Sequence, residues 1–261
     1  MITNKSASDQ NISFMEDFMS PRQIRRLEKK AQRQLHGEKL LANDAIERYE
    51  HSKFQLLPKT QGQAELIYGM ENFQQVLVFG PAGTGKTYVM AAHAAMMFQR
   101  KKIKKIVITR PNVPTGRTLG LFPGSVDEKM MVWVQPVVAV LKEVLGDEVF
   151  EIAMKKKQII LQPIETIRGM SFDDAFVIVD ETQNIQVEEI KALVTRIGEN
   201  TTLVLNGDIA QKDIREDSGL QFAIDTINKN EELAEQTYIV EFDVNDIVRS
   251  KLCKSWIRAF N

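Results

Sequence analysis

The sequence contains one cysteine, no long apolar run and almost no net charge. Because the single thiol, Cys253, cannot form a disulfide within the chain, a disulfide-stapled scaffold is excluded and a reducing compartment is favoured. No stretch approaches the roughly 18 consecutive apolar residues that a membrane-spanning helix requires. The N-terminus also lacks the apolar core of a secretory signal. These absences predict a soluble, cytoplasmic protein.

The charge balance excludes a grossly basic nucleic-acid-binding protein. The chain has 34 Lys and Arg residues against 35 Asp and Glu residues, which gives a formal net charge of -1. A local basic patch is still compatible with this balance. With 261 residues, of which 43% are hydrophobic, the chain is long enough for one large domain or for one domain and an arm.

Residues 1–57 differ in composition from the rest of the chain. Ser20 and Pro21 have the preferences of a helix N-cap and first helical residue, and the basic stretch at 22–41 is predicted to be helical. This helix either adds positive charge to a nucleic-acid channel or is an ordinary solvated face. We therefore assign residues 1–57 to an N-terminal tail and basic helical arm, and residues 58–261 to the main domain.

Short apolar runs in the main domain predict strands. They lie at residues 76–79, 106–108, 176–179, 203–205 and 238–240. Continuous apolar runs are typical of strands that are buried on both faces of a parallel sheet. Four helices are predicted between these strands. The first follows Lys86, the second spans 126–145, and the fourth starts at Ser218. The third has an apolar face made of Val187, Ile190, Leu193, Val194 and Ile197. This alternation predicts an α/β fold, with a doubly wound, mostly parallel sheet and helices on both faces.

Residues 80–87 match the phosphate-binding pattern G-x-x-x-x-G-K-[ST] at every position, between a predicted strand and a predicted helix. Glycines let the backbone wrap a phosphate chain with its N–H groups inward, and the helix N-terminus adds partial positive charge. Lys86 is expected to reach the terminal phosphates of a nucleotide, and the Thr87 hydroxyl to bind Mg²⁺. The residues predicted to hold the nucleotide are Gly80, Pro81, Ala82, Gly83, Thr84, Gly85, Lys86 and Thr87.

An acidic pair, Asp180 and Glu181, follows the apolar run at 176–179. A phosphate loop requires a carboxylate at the end of a neighbouring buried strand to hold the metal shell, which makes Asp180 the second predicted Mg²⁺ ligand. Glu181 is predicted to act as the general base toward an attacking water, which favours ATP hydrolysis over a GTPase switch. The alternative is that the pair only caps the helix that begins near Gln186.

A further predicted strand, at 203–205, is followed by polar residues at the same edge of the sheet. Ligands of doubly wound folds bind at the carboxyl ends of the strands, so Gln211 is a candidate to contact the γ-phosphate or the water. Gly207 and Asp208 are also ordinary turn residues, and a turn without function is the alternative.

Taken together, these segments resemble the PhoH family over about residues 55–260. The matching segments occur in one order, at residues 80–87, 108–111, 119–124, 168–169, 174–176, 180–184, 195–198, 207–211 and 246–249. The resemblance implies a RecA-like P-loop NTPase fold, similar to the ATPase core of superfamily 1 helicases. It also implies a link to phosphate starvation and RNA metabolism.

The resemblance implies roles for three residues. Gln63 matches a glutamine that reads the N6/N7 edge of adenine, and Gln211 matches a γ-phosphate sensor. Arg249 matches an arginine finger, with a surface arginine or a salt bridge as the alternative. Helicases of that superfamily place ATP between two cores, whereas this chain has the length for one. We therefore expect Arg249 to act on its own chain or, in a head-to-tail ring that is expected to be a hexamer, on a neighbouring subunit.

Two arginines suggest contact with nucleic acid. Arg110 follows the strand at 106–108, and Arg117 lies in a glycine-flanked loop. The resemblance implies that loops at this place hold the phosphates of a single strand.

The sequence therefore predicts a Mg²⁺-dependent ATPase that works on single-stranded RNA or DNA. An alternative is a nucleotide-gated assembly module, in which ATP binding controls ring formation and docking of partners without helicase activity. A small-molecule kinase fits less well, because the sequence has no evident lid or acceptor-binding segment.

Overall fold

The structure is a computed structural model that describes residues 54–111 and 126–260. The predicted basic helix at 22–41 and the loop residue Arg117 lie outside these ranges. In the described part of the chain, no helix has both the length and the apolar character needed to cross a membrane.

The main domain is built on a sheet of six parallel strands in the order β3-β2-β4-β5-β1-β6. The strands are β1 (Gln75–Phe79), β2 (Lys105–Arg110), β3 (Ile159–Pro163), β4 (Ala175–Val179), β5 (Thr202–Gly207) and β6 (Thr237–Glu241). The five predicted strands are all present. The sixth, β3, was not predicted; it is a short edge strand whose apolar residues are followed by Gln162 and Pro163.

Helices cover both faces of the sheet. They are α1 (Gln61–Asn72), α2 (Lys86–Gln99), α3 (Val126–Trp133), α4 (Gln135–Leu145), α5 (Asp147–Lys155), α6 (Val187–Val194), α7 (Gly219–Asn228), α8 (Glu231–Gln236) and α9 (Lys251–Phe260). The single helix predicted over 126–145 is two helices. Pro136 lies in the first turn of α4, where its missing N–H is tolerated, so the chain restarts there. Ile197 lies beyond the end of α6, not on its apolar face as predicted.

The alternation of side chains along the strands divides the core into two layers. Val76 and Val78 pack into the layer beneath α2 and α4, whereas Leu77, between them, packs into the layer beneath α6 and α7. The central strand β4 is buried along its whole length. Successive residues of a strand point to opposite faces, so a continuous apolar run is required when both faces are covered. The predicted doubly wound α/β fold is confirmed.

Parallel pairing brings the carboxyl ends of all six strands to one edge. Phe79, at the end of β1, is level with Gly207 of β5, and β5 in turn pairs with β4. The strand that precedes Asp180, β4, is therefore separated from β1 by one strand. The sequence predicted that it would lie directly beside β1, the strand of the phosphate loop. The intervening strand β5 carries its own polar residues to the same edge.

Candidate functional site

The phosphate loop folds as its glycines predict. Gly80, Gly83 and Gly85 have φ angles of 130°, 83° and 87°, which side chains rarely allow. A Cβ placed on Gly80 would lie 2.2 Å from the carbonyl oxygen of Phe242, so only glycine fits against that strand end. Helix α2 begins at Lys86, and its first N–H groups point into the loop.

Lys86 is buried inside the loop that it is predicted to serve. Its Nζ donates to the carbonyl oxygens of Gly80 at 2.7 Å and Pro81 at 2.8 Å. Burial lowers the pKa of Lys86, and the opposing negative charges begin with Asp208 and Asp180. The ammonium group is thus held at the point where a phosphate chain would meet the loop.

Asp180 is buried, with 6% of its surface exposed. Asn206, from the end of β5, donates from Nδ2 to Asp180 Oδ1 at 2.7 Å, and the nearest guanidinium nitrogen of Arg110 is 3.8 Å from Oδ2. Burial and the neighbouring charge of Glu181 raise the pKa of Asp180, while Arg110 and Asn206 oppose that rise. Asn206 was not among the predicted site residues. Its signal was a polar residue at the end of an otherwise apolar strand.

Glu181 has a φ angle of 55°, in the left-handed region, and caps the short 3₁₀ helix Thr182–Asn184. Such a conformation in a residue other than glycine is strained and is held by its surroundings. Gln183 Nε2 donates to Glu181 Oε2 at 2.5 Å, and Gln183 Oε1 accepts the backbone N–H of Asp208 at 3.1 Å. Gln183 therefore connects the acidic pair after β4 with the polar loop after β5.

Gln211 closes that polar loop. It ends the 3₁₀ helix Ile209–Gln211, is exposed, and donates from Nε2 to Asp208 Oδ2 at 2.5 Å. Both side chains line the same cavity as Lys86.

Arg110 lies in the acidic site. Its guanidinium is 3.8 Å from carboxylate oxygens of both Asp180 and Glu181, and its Nη1 donates to the carbonyl of Trp133 at 3.1 Å. The side chain is only 17% exposed. The structure thus places Arg110 beside the carboxylates, and its predicted contact with nucleic acid stays a prediction.

The segment that follows β6 packs against the phosphate loop. The backbone N–H of Val248 donates to the carbonyl of Gly83 at 3.0 Å. A Cβ placed on Gly83 would lie 2.9 Å from Cγ of Arg249. Asp246, in the same segment, accepts the backbone N–H of Gly62 at 3.1 Å and so ties the start of α1 to this segment. Arg249 therefore lies beside the phosphate loop of its own chain.

Gln63 supports the loop from the other side. It is 4% exposed, and its Nε2 donates to the carbonyl of Thr84 at 2.9 Å. Its Oε1 accepts the backbone N–H of Lys59 at 2.8 Å. The amide group therefore already bridges α1 and the loop, and Gln63 does not line the cavity itself.

One cavity of ≈ 470 Å³ gathers most of the predicted residues. The predicted residues that line it are Ala82, Gly83, Thr84, Gly85, Lys86, Thr87, Arg110, Asp180, Glu181, Gln211 and Arg249. Asn206 and Asp208 join them. The cavity therefore combines the phosphate-loop motif, the buried carboxylate of Asp180 and two arginines in one place.

The residues present fit a magnesium ion. The Thr87 hydroxyl and the Asp180 carboxylate are hard oxygen donors in the same cavity. Asn206 Oδ1, next to Asp180, is buried without a hydrogen-bond partner in the described part of the chain. Across residues 54–111 and 126–260 no group of three or more His, Cys, Asp or Glu could hold a metal. Magnesium uses one or two carboxylates together with substrate phosphates.

The chain is similar to known proteins over the whole described domain. The family model described as PhoH-like protein matches residues 55–261. A PhoH-like protein of Bacillus subtilis is 35% identical over 205 residues, which cover 78% of this chain and 63% of the relative. Protein PhoH of Escherichia coli K12 is 33% identical over 210 residues, which cover 79% of this chain and 58% of that protein. This chain thus matches about three fifths of the length of these curated relatives.

A solved structure has the same fold. The large terminase of a thermophilic bacteriophage superposes with a TM-score of 0.50 at 12% sequence identity, over 78% of this chain and 51% of the terminase. At that identity the likeness concerns the fold alone. The family model, the sequence identity to the relatives and the phosphate loop agree, and the chain belongs to the PhoH family.

Proposed function

We propose that this protein is a Mg²⁺-dependent ATPase that acts in the cytoplasm. The observation that carries the proposal is the single cavity in which Lys86, Asp180, Glu181 and Gln211 meet. These residues come from the ends of three adjacent strands, β1, β5 and β4. In phosphoryl transfer, positioning and electrostatic stabilisation supply most of the catalysis, and these are the functions that such a cavity performs.

The phosphate loop binds the nucleotide. Its amide groups and the N-terminus of α2 face the phosphates, and Lys86 exchanges the carbonyls of Gly80 and Pro81 for phosphate oxygens. Thr87 and Asp180 hold the magnesium ion, with Asn206 fixing the carboxylate. The ion, when bound, neutralises charge that develops on the phosphate oxygens.

Glu181 removes the proton of the attacking water. Gln183 and Arg110 orient its carboxylate from two sides. A positioned general base contributes roughly 10²–10⁴-fold to a rate. Gln211 contacts the γ-phosphate or the water, and Arg249 supplies positive charge from its own chain beside Gly83.

Gln63 is proposed to recognise adenine through the amide donor and acceptor that are not used within the protein. Each amide nitrogen has two donor hydrogens and each oxygen two lone pairs, so the bonds to Thr84 and Lys59 leave one of each. We expect Gln63→Ala to lose preference for ATP over GTP. An equal loss of affinity for both nucleotides would assign Gln63 to loop support alone.

ATP hydrolysis is proposed to drive binding or remodelling of single-stranded RNA or DNA. The resemblance to helicase cores and Arg117 support this coupling, and Arg110 contributes through the acidic site that it contacts. The test is the ATPase rate with and without a single-stranded oligonucleotide, with Lys86→Ala as the control for contaminating ATPases. Stimulation that falls as salt rises supports coupling, because phosphate contacts release counterions.

The second candidate is a nucleotide-gated assembly module. Arg249 and Val248 pack on the phosphate loop, so nucleotide binding can alter the segment that leads into α9. An ATPase rate that is indifferent to RNA and DNA, together with ATP-dependent assembly, favours this function. A head-to-tail ring, expected to be a hexamer, fits both candidates. Sedimentation that finds only monomers with ATP and Mg²⁺ present contradicts the ring.

A further inference from the structure

A second cavity lies at the opposite edge of the sheet from the phosphate loop. It has a volume of ≈ 550 Å³ and lies between the residues that precede β1 and β5 and the final turns of α1 and α2. This size is within the range of cavities that hold small organic ligands. The function proposed above makes no use of it.

His93 on α2 is the buried titratable side chain in the lining of this cavity. The side chain is 6% exposed, and its Nε2 has no hydrogen-bond partner in the described ranges. Burial, followed by the charges of Arg100 and Lys102, lowers the pKa of His93 to about 4. The imidazole is therefore neutral at pH 7, with one donor and one acceptor nitrogen. Buried polar atoms are nearly always paired, so the unpaired Nε2, which has almost no accessible surface, is an exception in this part of the chain.

The rest of the lining is amphipathic. Met70, Phe73, Met96 and Met97 form an apolar floor, and the methionines are unbranched side chains that adapt to flat ligands. Arg100 and Lys102 follow α2 and are exposed beside the floor.

These rim cations are available to an incoming anion. Neither forms an ion pair with a residue in the described ranges. The lining also holds one carboxylate, Glu71, on the side of α1.

We propose that this cavity binds a small organic anion with a planar apolar body, of the class of aromatic carboxylates and sulfonates. Arg100 and Lys102 take the anionic group, and the methionines and Phe73 take the ring. The ring of His93, whose Nε2 is itself buried, borders the body of the ligand. The site is distinct from the nucleotide site, because His93 lies two helical turns from Lys86 along α2, a distance of about 10 Å.

The test uses 1-anilinonaphthalene-8-sulfonate, a fluorescent sulfonate on a planar naphthalene ring, titrated into the full chain with saturating Mg²⁺ and ADP. We expect a single saturable site whose affinity falls about tenfold or more in the double variant Arg100→Glu, Lys102→Glu. The matched control reverses two exposed lysines at the end of α5, Lys155→Glu and Lys156→Glu, and should bind the dye as the wild type does.

A second readout concerns the imidazole itself. The chain has three histidines, so ¹⁵N spectra of the rings are simple, and His93→Leu identifies the signal of His93. The dye should move that signal and spare the other two. The proposal is overturned if no saturable binding occurs, if the dye binds only when ADP is left out, if the charge reversal leaves the affinity unchanged, or if the His93 signal does not move.

Discussion

Gln183 donates a hydrogen bond of 2.5 Å to the carboxylate of Glu181, two residues before it in the chain. The same amide accepts the backbone N–H of Asp208 at 3.1 Å, and only 1% of Gln183 is exposed. One buried side chain thus fixes both the proposed general base and the loop that carries Gln211. Because Gln183 acts through these neighbours, it is a positioning residue.

Replacing Gln183 by methionine keeps the length of the side chain and removes both hydrogen bonds. We expect kcat for ATP to fall about tenfold, because the Glu181 carboxylate without this hydrogen bond is less often oriented toward the attacking water. KM should change little, because the phosphate loop is untouched. Steady-state kinetics measure this split. Gln99→Met is the matched control, since Gln99 also makes a side-chain hydrogen bond, to the carbonyl of Val144, and does not line the cavity. A parallel loss in both variants would contradict the positioning role.

The variant Glu181→Gln should bind ATP and hydrolyse it poorly. A glutamine fills the same space but cannot accept the proton of the water, so we expect kcat to fall by about 10²–10⁴-fold. Binding is measured with a fluorescent ATP analogue, and hydrolysis by phosphate release. The control is Glu188→Gln on α6, an exposed glutamate paired with Lys191. Undiminished turnover in Glu181→Gln would remove Glu181 from the mechanism.

The position of Arg249 beside Gly83 predicts action within one chain. Arg249→Ala should lower turnover about a hundredfold, as expected when a charge that stabilises the transition state is removed. Mixing inactive Arg249→Ala and Lys86→Ala subunits should restore no activity, because every site then lacks one of the two groups. Recovery of activity in the mixture would show that Arg249 serves a neighbouring subunit. Arg215→Ala, which removes an exposed arginine outside the cavity, is the control.

His93 predicts a loss of stability in acid. Its pKa is about 4 in the folded protein and 6.5 in the reference state, so between these values the unfolded chain binds the extra proton. The free energy of unfolding therefore falls as the pH drops from 6.5 toward 4, by about 3 kcal/mol at ~1.4 kcal/mol per pH unit. Arg100 and Lys102 strengthen the effect, because their charges disfavour the imidazolium.

Denaturant unfolding from about pH 7 to about pH 4.5 measures this dependence. Carboxylates titrate in the same range, so the informative quantity is the difference between the wild type and His93→Leu. We expect the wild type to lose stability relative to the variant as the pH falls. Parallel curves for the two proteins would show that His93 does not stay neutral.

Much of the fold was predictable because its signals are local. The run at 176–179 is apolar at every position since β4 is covered on both faces, and the glycines of the phosphate loop indicate its φ angles directly. The edge strand β3 was missed, because its apolar run is only Ile159–Leu161 and is followed by Gln162 and Pro163. The break in the helix over 126–145 lies next to Pro136, and it was missed because apolar residues continue on both sides of that proline.

The composition of the candidate site was less predictable, because it depends on strand order. The motif after β4 indicated Asp180 and Glu181, but no pattern places β5 between β4 and β1. Asn206 meets Asp180 only through that order. Arg249 and Gln63 approach the phosphate loop through contacts between distant parts of the chain. Such contacts leave no periodic trace in the sequence.

During synthesis, the phosphate loop is made before the residues that pack against it. Its strand, β1, is the first of the sheet to be made, yet it pairs with β6, the last, and its loop is then backed by Phe242 and Val248. On the ribosome, where domains fold as units, the loop emerges long before these partners. The nascent protein therefore completes its phosphate loop only when the segment after β6 has left the exit tunnel, so a stalled fragment would expose the motif without its supporting contacts.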